Sequence, residues 1–264
     1  METREKSVKT NPPFGLSFYP HGVLRAADAA LSRRALVFTP NAELCRRAKE
    51  DPAFYKTLLH ADILLPDGVG VTLPARLRGV RLSRAPGVEF GEALAARLAK
   101  CGGSLFLCGG KKGVAERAAA TLQTKYPRLR IAGTCHGYLA KNEREELLRR
   151  LASSPPDALF ICTGSPRQEE FSLAAKALLP KTVVAALGGS LDVYAGDVRR
   201  APMPFRTLGC EWLWRTLCEP KRAPRLLRSV PFLTAELFEA LPFWFKLHRQ
   251  RAKAEESSVN NNKI

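Results

Sequence analysis

The chain has 264 residues, 45% of them hydrophobic and 25% charged, so it can bury a sizeable core and is too apolar for global disorder. Forty-two Lys and Arg against 25 Asp and Glu leave a net charge of +17, which points to an anionic partner: nucleic acid, a membrane surface or a phosphorylated substrate. The charged opening from Met1 to Pro13 lacks the apolar stretch of a signal peptide, and no run reaches the ~18 apolar residues of a spanning helix.

Seven cysteines, an odd number without a Cys-x-x-Cys, give no disulfide framework, and four scattered histidines have no metal-ligand spacing. A cytoplasmic, reduced setting is expected.

From about Leu16 to Val198, short apolar runs alternate with stretches of helical periodicity. Strands are predicted at Ala35–Thr39, Asp62–Leu65, Ser104–Cys108, Leu129–Ala132, Ala158–Thr163 and Thr182–Leu187. Helices are predicted at Val88–Lys100, Val114–Tyr126, Glu143–Ala152 and Gln168–Leu179. Strands of Leu, Ile, Val and Phe without polar alternation indicate burial on both faces. The fold class is therefore α/β: a Rossmann-like open, mostly parallel sheet with helices on both faces. Ligands of such sheets bind at the carboxyl ends of the strands.

Those ends carry the chemistry-bearing residues. Thr39-Pro40-Asn41 offers a hydroxyl and an amide, or forms an ordinary turn. In Pro66-Asp67-Gly68-Val69-Gly70 the carboxylate of Asp67 can project into a cleft as a general base, or cap the helix that follows. Gly109-Gly110-Lys111-Lys112-Gly113, between a strand and a helix, suits a diphosphate through backbone N–H groups, although it is neither a Walker A loop nor a Gly-x-Gly-x-x-Gly. Gly164-Ser165-Pro166-Arg167-Gln168-Glu169-Glu170 is a polar cluster after a buried strand. In Gly188-Gly189-Ser190-Leu191-Asp192, the aspartate either meets a sugar hydroxyl or caps its own helix. No Asp-x-Asp occurs, so a nucleotide diphosphate leaving from this site would depend on arginines and helix N-termini.

Beyond Val198 the composition changes. Residues 199–251 hold 11 Lys and Arg and 4 Asp and Glu, a net of +7, together with all three tryptophans. Arginine forks here suit phosphate, and the Trp and Phe residues suit a headgroup boundary, so the segment reads as a core-packing helix or as a monotopic amphipathic one. Three parts are expected: an α/β catalytic domain over 1–198, a basic helical appendage over 199–251, and a disordered polar tail over 252–264.

Ten motifs in order resemble the WecG/TagA/CpsF glycosyltransferases, from about residue 16 to 228. They are Thr39-x-Asn41, Pro66-Asp67-Gly68-Val69-Gly70, Arg84-x-x-Gly87, Gly109-Gly110, Tyr126-Pro127, Gly133-Thr134 with Gly137-Tyr138, Gly164-x-Pro166-x-Gln168-Glu169, Gly188-Gly189 with Asp192, Arg200-Ala201-Pro202, and Glu211-Trp212-x-x-Arg215 with Glu219-Pro220.

The resemblance implies a bacterial inverting, metal-independent enzyme that needs no cofactor. Its donor would be a UDP-sugar, typically UDP-N-acetylmannosamine. Its acceptor would be an undecaprenyl-diphosphate-linked N-acetylglucosamine, for a teichoic acid, common antigen or capsule. It implies Asp67 as base and Thr39, Asn41, Arg84 and Gln168 as substrate-site residues. Gly109, Gly110, Gly133, Tyr138, Gly164, Glu169, Gly189 and Asp192 would hold the nucleotide sugar, and Arg215, Arg222 and Arg225 the lipid diphosphate.

The chain departs from the family where Arg-Val-x-Gly-x-Asp is frequent: it has Arg84-Ala85-Pro86-Gly87-Val88-Glu89, one methylene longer at its end. Another UDP-sugar (N-acetylmannosaminuronic acid, glucose or galactose) is the alternative donor. A nucleic-acid partner is set aside, because the basic residues are dispersed and carry no recognised motif. The expected location is the inner face of the cell membrane, peripherally bound, with self-association covering the apolar appendage in solution.

Overall fold

The computed structural model describes residues 13–218 and 223–261. After a short 3-10 turn at Pro13–Gly15, the chain runs α1 (Val23–Arg33), β1 (Leu36–Phe38), α2 (Ala42–Glu50), α3 (Pro52–Leu59), β2 (Ile63–Leu64), α4 (Val69–Leu77) and α5 (Gly87–Lys100). It continues through β3 (Ser104–Gly109), α6 (Val114–Lys125), β4 (Arg130–Cys135), α7 (Lys141–Ser153), β5 (Ala158–Cys162), α8 (Arg167–Leu178) and β6 (Val183–Ala186). Four helices follow: α9 (Ser190–Tyr194), α10 (Met203–Thr207), α11 (Glu211–Cys218) and α12 (Ala223–Asn261).

The six strands form one parallel sheet in the order β2-β1-β6-β5-β3-β4. Side-chain alternation divides its core in two. Val37, Leu105, Leu107, Phe160 and Ala185 face α1, α5 and α6, whereas Phe38, Phe106, Leu159, Ile161 and Val184 face α2, α3, α7 and α8. Because both faces are covered, the strands have no polar side to show, which is why they read as continuous apolar runs. The predicted strands and helices all occur, with ends moved by up to three residues.

Polar side chains at the amino-terminal edge of the sheet do structural work. Asp62 Oδ2 accepts from Leu36 N at 2.7 Å, and Asp157 Oδ2 accepts from Ser104 N at 2.9 Å, so each closes a strand start that the sheet leaves unpaired. Three helix starts receive similar treatment. Asn41 caps α2 through Leu44 N, Asp51 caps α3 through Ala53 N and Phe54 N, and Glu143 accepts from Ala140 N at the start of α7.

The C-terminal helices pack onto the sheet domain. α12 lies across α4 and α2, where a Cβ on Gly70 would stand 2.8 Å from the Ala42 Cβ and 3.4 Å from Leu233 Cδ2. Phe232 stacks on Phe14 at 5.5 Å, and Ala240 is fully buried. A buried ion pair reinforces this contact: Glu236 Oε2 accepts from Arg78 Nη2 at 2.9 Å and Glu236 Oε1 from Lys49 Nζ at 3.1 Å, with Arg78 and Glu236 only 5% and 3% exposed. The tail differs from the expectation of disorder, since α12 stays helical as far as Asn261. The stretch Arg251-Ala252-Lys253-Ala254-Glu255-Glu256 consists of strong helix formers, which continue a helix already nucleated.

Candidate active site

The turns at the carboxyl ends of the strands are tied to one another in the order of the sheet. Asp67 N donates to Pro40 O at 3.1 Å, and Ala85 N donates to Pro66 O at 2.9 Å, so the Thr39–Asn41, Asp67 and Arg84 loops share one network. Thr39 is 9% exposed and its Oγ1 donates to Ala186 O at 3.2 Å, which joins β1 to β6. The start of α5 closes over this point: a Cβ on Gly87 would lie 3.3 Å from Thr39 Oγ1 and 3.4 Å from Leu187 O.

Asp67 is half-buried. The N-cap position of α4 is Gly68, at φ +93, so the glycine turn places the aspartate two residues ahead of the first helical residue, Val69. Asn41 spends its side-chain oxygen on the α2 cap.

Gln168 and Glu169 are buried at the start of α8. Gln168 Oε1 accepts from Gly188 N at 3.1 Å, and its Nε2 donates to Glu169 Oε1 at 2.8 Å. Gln168 thus holds the Gly188-Gly189 turn against the end of β5, and exposed Gly164 begins the same loop. Burial pushes the Glu169 carboxyl above the usual carboxylate range, against the opposing hydrogen bond from Gln168. Gly189 is the exposed N-cap of α9, and half-buried Asp192 sits in the first turn of that helix.

The next turns along the edge are those of β3 and β4. Gly110 O accepts from Gly137 N at 2.8 Å, and a Cβ on Gly109 would fall 2.4 Å from Cys162 O. Tyr138 is 69% exposed beside them. Between the first turns of α7 and α8 lies a cleft of about 450 Å³, lined by Gly137, Tyr138, Arg144, Thr163, Arg167 and Phe171 among others. Two arginines and a tyrosine suit a ligand that is both aromatic and anionic, such as a nucleotide. Of the residues predicted for the nucleotide sugar, only Tyr138 lines this cleft. Burial raises the Cys162 thiol to about 12, so the strand ends offer no thiolate nucleophile at neutral pH.

Gly133 does not belong to this edge. It stands inside β4 where the register with β3 shifts, and a Cβ there would meet Phe106 Cε2 at 2.7 Å. Its glycine serves a bulge and a close packing contact.

The C-terminal segment covers the Asp67 turn. A Cβ on Gly209 would lie 3.2 Å from Val69 Cβ and 3.5 Å from Arg84 Cδ. Glu89 accepts from Arg200 at 2.9 Å and approaches Arg84 at 3.7 Å and Arg206 at 4.0 Å, while Glu211 approaches Arg84 at 3.8 Å and Arg200 at 3.7 Å. Arg84 therefore stands beside the Asp67 turn, and Glu89, the departure from the family pattern, is the centre of an ion cluster. Arg206 carried no signal in the sequence, because its partner lies 117 positions away. Arg222 lies outside the described residues; Arg215 and Arg225 fall within α11 and α12.

The model of the Glycosyl transferase WecG/TagA/CpsF family matches residues 17–246. The N-acetylglucosaminyldiphosphoundecaprenol N-acetyl-beta-D-mannosaminyltransferase of Bacillus subtilis (strain 168) is 35% identical over 198 residues, 75% of this chain and 76% of that protein. The protein of the same description from Bacillus spizizenii (strain ATCC 23059 / NRRL B-14472 / W23) is 33% identical over 207 residues, covering 78% and 80%.

Proposed function

The chain belongs to the WecG/TagA/CpsF family of glycosyltransferases, and on that premise we propose that it transfers N-acetylmannosamine from UDP-N-acetylmannosamine to an N-acetylglucosaminyl-diphospho-undecaprenol acceptor. Asp67 is the general base. It removes the proton from an acceptor hydroxyl, O4 of the N-acetylglucosamine; the freed oxygen attacks the anomeric carbon as the bond to the diphosphate breaks, and UDP leaves with the electron pair. A single displacement inverts the stereocentre.

The observation that carries the reading is the placement of Asp67. It is a half-buried carboxylate delivered by a glycine turn to the ligand-binding edge of the sheet, in a chain whose relatives bear that transferase description. Thr39, Asn41 and Gln168 hold the turns around it. The missing Asp-x-Asp supports metal-independent departure of UDP, with arginines meeting the charge.

The acceptor is a lipid, and the appendage supports peripheral attachment on the cytoplasmic membrane face. Trp212, Leu217, Leu227, Phe238, Trp244 and Phe245 are all exposed there, beside basic residues worth about 1 kcal/mol each near an anionic leaflet. No described helix is long and apolar enough to cross a membrane. In solution the same apolar surface favours self-association, which gel filtration with and without detergent would detect.

The test is UDP release from UDP-N-acetylmannosamine with a synthetic lipid-diphospho-N-acetylglucosamine acceptor in EDTA. Acceptor-dependent turnover that Asp67→Asn removes is the expected result. Turnover only with another UDP-sugar would reassign the donor, and full activity in a folded Asp67→Asn variant would refute the base.

A further inference from the structure

A cluster of ion pairs lies over the Asp67 turn. Arg84, Arg200 and Arg206 approach Glu89 and Glu211, and all five side chains are 19–31% exposed. Of their contacts, Arg200 to Glu89 is a close hydrogen bond at 2.9 Å, while the remaining ion-pair separations run from 3.7 to 4.0 Å. Arg206 Nε is buried without a hydrogen-bond acceptor, and a desolvated guanidinium N–H of that kind is costly unless something fills the vacancy. The cluster joins three separate pieces of chain: Arg84 in the loop before α5, Glu89 in the first turn of α5, and Arg200 to Glu211 in the segment that lies on Gly68 and Val69.

We propose that Arg200 and Arg206, with Arg84, form a diphosphate-binding site, and that Glu89 and Glu211 are positioning residues that hold the three guanidinium groups together until the ligand arrives. A diphosphate supplies acceptor oxygens in number, for Arg206 Nε and for the loosely held guanidinium groups. Forked donors on two separate segments match oxygens on two phosphorus atoms better than a single carboxylate does. The loose contacts to Glu89 and Glu211 can be exchanged for phosphate oxygens without unfolding the segment, because the backbone of Gly209 stays packed on Val69. This inference rests on the glycosyl-transfer reading for its location, but the binding chemistry does not depend on which sugar is moved. The diphosphate is that of the donor nucleotide or of the lipid acceptor.

The experiment uses the full chain and measures binding, not turnover. UDP is titrated against uridine to report the donor, and vesicles with and without undecaprenyl diphosphate report the lipid. Arg200→Gln and Arg206→Gln are each expected to weaken one of the two diphosphate ligands by about tenfold or more, the loss of a charge-assisted hydrogen bond. The arm that weakens identifies the source, and uridine binding stays unchanged. Glu89→Gln is expected to bind the same ligand as well as wild type or more tightly, because a competing carboxylate is gone. A purely structural cluster would instead lose binding in all three variants together with thermal stability. If Arg206→Gln fails to fold, Arg206→Lys keeps the charge without the fork and should still weaken the diphosphate ligand. Unchanged affinity for both UDP and the lipid vesicles in folded Arg200→Gln and Arg206→Gln variants overturns the proposal. That result would leave sugar transfer, read by UDP release, unaffected.

Discussion

The sheet domain and the C-terminal helices place the same residue types in opposite ways. In the sheet domain, Phe38, Phe90, Phe160 and the large aliphatic residues are fully buried in two layers. In the C-terminal helices, eleven large hydrophobics between Met203 and Phe245 are exposed, against five in the rest of the described chain. Charge is reversed in the same way: the domain spends Asp62 and Asp157 on strand starts, whereas α12 buries Glu236 against Arg78 and leaves its basic surface outward. A hydrophobic residue is thus not evidence of core; what decides is whether a second layer covers it. Over these eleven residues no such layer lies within the described chain, and that is the surface the proposed membrane contact would use.

Five variants probe that contrast. The largest effect is expected within the domain's ligand edge: Asp67→Asn should lower turnover by ~10²–10⁴ with unchanged thermal stability, as read by UDP release and a melting curve. At the seam between the two regions, Glu236→Ala should cost about 3 kcal/mol by chemical denaturation, because Arg78 is left buried with only the longer 3.8 Å contact to exposed Glu239. The paired Arg78→Met with Glu236→Leu should recover most of that loss, which separates the desolvation of a lone charge from any net worth of the pair.

On the outer surface, Phe238→Ser with Phe245→Ser should weaken binding to anionic vesicles several-fold while leaving the melting temperature in place. A large fall in melting temperature instead would mean these rings pack against a layer of the protein, and the contrast between the regions would collapse. The smallest effect concerns Glu169. Its folded-state carboxyl titrates above the ordinary glutamate range, so the folded protein holds a proton that the unfolded chain gives up at lower pH. Stability is therefore penalised progressively as pH rises from the ordinary glutamate value through the raised one. Glu169→Gln should gain in melting temperature over wild type as pH rises through that window and change little below it.

The legible parts were those fixed by local chemistry. Apolar runs ending in Gly, Pro or Asn mark Thr39, Asp67, Gly109, Gly164 and Gly188 at strand ends, because a parallel strand must be apolar throughout and its exit must turn sharply. The resemblance added Arg84 and Gln168. What could not be read depended on pairs distant in the chain. Glu236 meets Arg78 across 158 positions and Arg200 meets Glu89 across 111, and neither partner has a local signature. The bulge at Gly133 has a related cause: a glycine in a strand does not show its packing partner, here Phe106, in the sequence. The helical reach of α12 to Asn261 rests on helix propensity in a polar stretch that has no apolar period to mark it.

The docking of α12 onto α2 and α4 also orders events in time. The last strand ends at Ala186 and α12 at Asn261, 75 residues later. At roughly 5–20 residues per second, the ribosome takes about 4–15 seconds to add them. All six strands have been synthesised before the Trp and Phe surface of the appendage exists. The nascent chain has nothing of that surface to offer until its sheet strands have been made, so synthesis itself would separate folding from the attachment proposed above.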